Sequence, residues 1–217
     1  MIGNEIVTGI IAVVIGYLLG SIPAAYIAAR LIKGKDIRQI GGGNVGARNV
    51  FTEVGKAAGI TVGIFDVGKG AAAVAIAYWL LAVPQPFILL VGAAAVVGHI
   101  WSIFLKFTGG NGLATTIGVL AILMPRELLI AFALIIILIV VTHNTILSLN
   151  ISLISAPLSA AWLFEESLLL TIFPIALILI MGVHFLPTVR AAIVKAGSKE
   201  SFFNELLRRD KGRKEER

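Results

Sequence analysis

The sequence predicts an all-α, polytopic membrane protein with about seven transmembrane or partly spanning helices, its N-terminus outside and its C-terminus cytoplasmic. Three observations carry this. Of the 217 residues, 58% are hydrophobic and 14% are charged, with a mean hydropathy of +0.98. A soluble domain carries about 25% charged residues, and no soluble core of this size could bury so large an apolar surplus. The apolar residues gather in long runs such as Glu127 to Val141, so lipid is the solvent for most side chains. The basic residues, finally, stand mostly between those runs and at the C-terminal end.

The first run, Ile6 to Ala29, has no basic segment before it and no short apolar core ending in a small-residue cleavage site. It therefore reads as a retained span rather than a signal peptide. In order, the spans are expected near Ile6 to Leu31, Gly59 to Val83, Pro86 to Leu105, Leu113 to Met124, Leu128 to Ile146, Leu149 to Phe164 and Leu168 to Leu186. The fourth and sixth fall short of the ~20 residues that cross a bilayer, so they tilt, re-enter or lean on neighbours.

Orientation follows from lysine and arginine. The loop from Arg30 to Lys56 holds six of them (Arg30, Lys33, Lys35, Arg38, Arg48, Lys56), and Arg190 to Arg217 holds nine of the total of 18. Both are placed inside. The turns at Val83 to Pro86, Pro125 to Glu127 and Glu165 to Ser167 carry Arg126 as their single basic residue, beside glutamates, and are placed outside. Residues 1–189 thus form one integral-membrane helical domain and residues 190–217 a basic cytoplasmic tail. Within the tail, Ala191 to Leu207 reads as an amphipathic helix with Phe202, Phe203, Leu206 and Leu207 among basic residues. Such a helix is drawn to anionic headgroups at about 1 kcal/mol per basic residue. The charged end, Arg208 to Arg217, has the composition of disorder.

Several function classes drop out. The net charge is +6, but half of the lysines and arginines lie in the tail, which argues for a lipid surface and against nucleic acid. There is no cysteine, so disulfides, thiolate metal sites and a cysteine nucleophile are excluded. No internal repeat supports a transporter built on inverted halves, and the fifth span, Leu128 to Val141, offers no polar residue to line a channel.

Chemistry is expected in two glycine-rich loops. Gly41-Gly42-Gly43-Asn44-Val45-Gly46-Ala47-Arg48-Asn49 can fold its backbone N–H groups around an anion, because glycine admits positive φ and close approach. Asn44 and Asn49 add amide donors, and Arg48 adds a planar cationic fork. A second loop, Thr108 to Thr115, repeats the design with Gly109, Gly110, Asn111 and Gly112, and aims the helix that follows at the same anion. For each loop the plainer alternative is a turn that needs glycine only to bend.

Ionisable residues inside apolar segments are functional candidates by default. Asp66 and Lys69 stand on one helical face, where they can neutralise each other as a structural or a catalytic pair. His99, His143 (beside Asn144) and His184 lie at similar depth near the inner ends of three spans. A lone histidine in such a place is more often a satisfied packing residue than a base, but three at similar depth point to function. None is spaced as a zinc ligand pair, so no metal is expected. The glycine run does not follow a strand in a βαβ unit, which excludes a dinucleotide site.

The segment Gly16-Tyr17-Leu18-Leu19-Gly20-Ser21-Ile22-Pro23-Ala24-Ala25-Tyr26, followed by Gly43 to Val50, resembles the bacterial integral-membrane glycerol-3-phosphate acyltransferases that use acyl phosphate as donor. Asp66-Val67-Gly68-Lys69-Gly70, Gly98-His99 and Gly109 to Thr115 extend the similarity, which fades beyond about Gly118. The resemblance implies a seven-span fold in the cell inner (plasma) membrane with its motifs on the cytoplasmic side. It implies transfer of a fatty acyl group from acyl phosphate to the 1-hydroxyl of glycerol 3-phosphate, giving lysophosphatidate for phospholipid synthesis, with no cofactor. Gly43, Asn44, Gly46, Arg48, Asn49, Gly110, Asn111, Gly112 and Thr115 would bind the substrate phosphates, His99 or His184 would take the proton, and Asp66 and Lys69 would support them. The family pattern is altered where Gly42 replaces serine, Arg48 threonine, Thr52 arginine, and Thr108 and Asn111 two lysines. Val183 and Pro187 likewise replace arginine and asparagine around His184. The alternative is a diverged member with lost or altered activity, acting as a lipid-binding or partner-binding membrane subunit.

Overall fold

A computed structural model describes residues 2–143, 145–164 and 166–198. The expectations for Phe202 to Leu207 and for the charged end lie outside those residues. Among the described residues all regular structure is helical. The chain divides into two compact units, Met1–Pro125 and Arg126–Arg217.

In the first unit, α1 (Ile2–Ser21) and α2 (Ala24–Lys33) occupy the stretch expected to be one helix. The break falls at Pro23, whose ring nitrogen has no hydrogen to donate and whose backbone (φ −92°, ψ 70°) is not helical. Gly34 ends α2 in the left-handed conformation (φ 66°), its N–H returning to the Arg30 carbonyl. A short helix, α3 (Ala47–Glu53), follows where the sequence predicts a loop. It forms because Gly46 is extended and its carbonyl accepts the N–H groups of Asn49 and Val50. Then come α4 (Lys56–Ala75), prolonged by a wider π-type turn over Ile76–Leu80, α5 (Gln85–Ile100) and α6 (Leu113–Leu123).

The second unit holds α7 (from Pro125 to Thr142), α8 (Thr145–Trp162) and α9 (Leu168–Ala196), the last running well past the expected end at Leu186. By length and composition, five described segments can cross a membrane, namely residues 3–33, 56–80, 85–105, 125–142 and 168–191. The helix Leu113–Leu123 is apolar but shorter, as its sequence predicts.

Lipid offers helices little hydrophobic reason to associate, so close backbone contact between small residues must hold them. In the first unit α1 packs on α5 and α4 on α6. A Cβ on Gly20 would collide with the Ala95 carbonyl, and one on Gly98 with the Tyr17 carbonyl. Likewise Gly70 abuts the Thr115 carbonyl and Gly118 the Val67 carbonyl. Glycines therefore stand on both sides of each seam. In the second unit α8 packs on α9. There Ser148, Ser152, Ala156, Ser159 and Ala160 are buried on α8, and Phe173, Leu177 and Met181 on α9. Arg126 pairs with Glu166 and lies 4.3 Å from the Phe164 ring centroid.

Candidate active site

The first glycine loop is built from Asp36 onward. Its carboxylate caps the single 3₁₀ turn Ile37–Gln39 by accepting the Arg38 N–H at 3.0 Å, and it also receives Arg38 Nε (3.0 Å) and Nη2 (2.7 Å). Those hydrogen bonds hold the Asp36 carboxyl at about 2, below its usual 3.8, against the opposing effect of burial. Ile37, fully buried, anchors the turn in a cluster with Ala25, Ala29, Val45 and Val50. From α3, the buried Asn49 side chain then ties the loop together. Its Nδ2 lies within 3.2 Å of the carbonyls of Ile37, Ile40 and Asn44, and its Oδ1 accepts the Gly42 N–H at 3.2 Å. Asn49 thereby acts on the loop itself. Gly43 takes φ 70° to complete the bend.

The second loop begins where α5 ends. A turn at Ile103–Leu105 is followed by Lys106 and Phe107 in the left-handed region (φ 57° and 60°), and the chain then doubles back so that the Gly110 N–H donates to the His99 carbonyl at 3.1 Å. Gly112 (φ 87°) opens α6. Gly110 sits at the meeting point of both loops: a Cβ there would lie 2.6 Å from the Val45 carbonyl oxygen and would collide with His99 Nε2.

Beneath the loops is a buried ionic group. Lys69 Nζ lies 2.8 Å from Asp66 Oδ1 and donates to the Ile22 carbonyl at 2.9 Å, at the break between α1 and α2 where helix-end carbonyls carry partial negative charge. His99 Nδ1 lies 3.6 Å from the same Asp66 oxygen, too far for a hydrogen bond but close enough for its charge to act. His99 therefore presents Nδ1 to the carboxylate and Nε2 to the second loop. A cleft lined by Ser21, Pro23, Val45, Asp66, Lys69, His99 and Gly109 adjoins it.

The structure thus brings together Asp66, Lys69, His99, Gly110 and the Val45 segment, with Gly43, Asn44, Gly46 and Asn49 in the adjoining loop. Thr115 is fully buried where α6 meets Gly70 of α4. Arg48 is exposed on α3, Lys106 is exposed on its turn, and Asn111 is half-buried. Thr52 bonds back to the Arg48 and Asn49 carbonyls. His143 is exposed at φ 51° just beyond α7, and Asn144 lies outside the described residues. His184 is half-buried on α9 of the second unit, edge-on to Phe185 at 5.9 Å.

Sequence reasoning missed the Asp36 and Arg38 pair, and with it a bond from Arg38 Nη1 to Thr108 Oγ1 (3.4 Å) that crosses from the first loop segment to the second. The alternation Asp36, Ile37, Arg38, acid and base around one buried isoleucine, was the available signal.

Residues 10–193 match the model of the family described as glycerol-3-phosphate acyltransferase. The chain belongs to the glycerol-3-phosphate acyltransferase family. It is 42% identical over 179 residues to glycerol-3-phosphate acyltransferase 1 of Dehalococcoides mccartyi, covering 80% of this chain and 86% of the relative. It is 39% identical over 211 residues to glycerol-3-phosphate acyltransferase 2 of that organism, covering 94% and 98%. The glycerol-3-phosphate acyltransferase of Endomicrobium trichonymphae is 41% identical over 174 residues, covering 79% and 86%. The acyltransferase fold is also that of PlsY, an integral membrane glycerol 3-phosphate acyltransferase whose crystal structure in its glycerol 3-phosphate form superposes with a TM-score of 0.75 at 28% identity, covering 86% of this chain and 92% of that one. The expected family and the helical membrane architecture are both borne out.

Proposed function

We propose that this membrane enzyme transfers a fatty acyl group from acyl phosphate to the 1-hydroxyl of glycerol 3-phosphate, forming lysophosphatidate and inorganic phosphate for phospholipid synthesis. The hydroxyl oxygen attacks the acyl carbonyl carbon and the bond from that carbon to the phosphate oxygen breaks. The hydroxyl proton leaves with the phosphate, directly or by way of His99. Acyl phosphate brings its own leaving group, so the protein's work is to hold two phosphates beside an apolar path for the chain.

The observation that carries this reading is the meeting of the two glycine loops at Gly110, over the nitrogen of His99 that Asp66 leaves facing them. Backbone N–H groups, Asn44, Arg48 and Asn111 are the donors assigned to the phosphates. An apolar groove between α2 and α4, lined by Ala24, Ile27, Leu31, Ala58, Val62 and Phe65, shares Ile22 and Ala24 with the cleft and suits the acyl chain. The weight of lysine and arginine in the loop from Arg30 to Lys56 supports a cytoplasmic position for the site, with the inner (plasma) membrane as its location.

The test is direct. Purified protein given palmitoyl phosphate and labelled glycerol 3-phosphate forms labelled lysophosphatidate, and Arg48→Ala slows it. Folded protein that forms none overturns the reading; full activity in Arg48→Ala removes Arg48 from the site.

A further inference from the structure

We propose that Arg38 supplies the positive charge that the second glycine loop lacks, binding a phosphate monoester dianion there while Asp36 holds its guanidinium in place. This rests on the acyl-transfer reading above.

A guanidinium has five N–H donors in a fixed plane. In Arg38 the Nε and Nη2 edge is occupied by Asp36, whose side chain is 5% exposed, while the Arg38 side chain remains 35% exposed. What stays available is Nη1, and it points across to the second loop. Its bond there, 3.4 Å to Thr108 Oγ1, is at the long end of the range, and Thr108 has already committed its hydroxyl hydrogen to the Leu105 carbonyl at 2.6 Å. A phosphate oxygen is a stronger acceptor than that hydroxyl.

The guanidinium is also braced from below. The Tyr26 ring lies 5.4 Å from the Arg38 guanidinium carbon and 5.3 Å from that of Arg30, and Arg30 reaches Asp36 at 3.8 Å. Two arginines around one carboxylate leave the cluster with a net positive charge. A cation already fixed in geometry loses little side-chain freedom on binding, which is where a flexible lysine would lose affinity. The other basic side chains near the loops do not match this. Lys69 is buried between Asp66 and the Ile22 carbonyl, and Arg48 and Lys106, exposed as Arg38 is, have no side-chain bond to a described residue that crosses between the loop segments. Among the described residues, Arg38 is the cation whose side chain bonds both Asp36, at the start of the first loop segment, and Thr108 in the second.

The experiment compares full-length wild type, Arg38→Gln, Arg38→Lys and the double variant Arg38→Gln/Thr108→Lys in detergent. It measures the KM for glycerol 3-phosphate and for palmitoyl phosphate, and the rise in melting temperature on adding inorganic phosphate. Arg38→Gln is expected to raise one of the two KM values about 10- to 100-fold with a smaller change in kcat, and to lose the phosphate-induced rise. Which KM moves tells whose phosphate sits there. Thr108→Lys in the double variant restores much of the loss, because its ammonium reaches the space that Nη1 occupied. Arg38→Lys, which keeps the charge but not the fork, falls between and carries the test if Arg38→Gln does not fold. Unchanged KM values with an unchanged phosphate response overturn the proposal, as does a fall in kcat alone. If wild type turns nothing over yet shows a phosphate response that Arg38→Gln lacks, the anion site stands and the acyl-transfer reading fails.

Discussion

The two glycine loops look alike in sequence and use glycine for different reasons. In the first, an added Cβ would meet no atom within 4 Å at Gly42 and only side-chain atoms of Asn49 and Glu53 at Gly41, and the bend is held by Asn49 from outside the glycine run. In the second, Gly109 and Gly110 have no room at all, pressed against the carbonyls of His99 and Ile100 and against His99 Nε2. The first is a tied loop with open space at Gly42, and the second is a wedge against backbone carbonyls. Composition alone cannot separate these cases, since the difference lies in what stands opposite each Cα.

The largest expected effect is therefore at the wedge. Gly110→Ala pushes the second loop off both His99 and Val45, and a displacement of about 1 Å at a reacting centre costs about 100-fold in rate, read as kcat/KM for the labelled transfer. Normal activity in that variant would dissolve the distinction between the loops. Next comes Asn49→Ala, which leaves the carbonyls of Ile37, Ile40 and Asn44 and the Gly42 N–H without their partner. Several unpaired groups at about 1–3 kcal/mol for a buried one predict a lower melting temperature together with weakened phosphate binding. Gly43→Ala is milder: φ 70° costs an alanine roughly 1–2 kcal/mol, seen as a small drop in melting temperature. Gly42→Ala should lie within about 0.5 kcal/mol of wild type in the same measurement.

Much of this architecture was legible in the sequence, and the reasons are uneven. Span positions follow from apolar runs because lipid sets one length scale, and α5 and α6 begin close to their expected starts. The break at Pro23 was visible as a residue, but its neighbours are apolar enough to hide it inside a span. The short helix α3 was hidden by the glycines that precede it. Asp66, Lys69 and His99 stood out because charge inside apolar runs is rare; that they converge on one oxygen of Asp66 depends on α4 and α5 packing in a register that no local pattern encodes. Arg38 was one basic residue among six in its loop. Only tertiary structure distinguishes it, through Thr108 some 70 positions away.

A smaller effect concerns the tie at the start of the first loop. Asp36 has its pKa lowered to about 2 by Arg38, with Arg30 also facing it, so the folded state favours the ionised form. The stability this contributes is present in full above the ordinary carboxylate value of 3.8 and is lost as pH falls from there toward 2. Hydrogen exchange of the loop amides should quicken, relative to the intrinsic rate, across that window, and Asp36→Asn should flatten the response. A loop whose protection is unchanged down to pH 2 would show that the pair contributes nothing to its order.

The most direct test of the central claim is an experimental structure of the wild-type protein with glycerol 3-phosphate bound. The account predicts the phosphate between the two loops, within hydrogen-bond distance of backbone N–H groups in residues 109–115 or 42–46 and beside the cleft that holds His99. A phosphate bound away from both loops would contradict it.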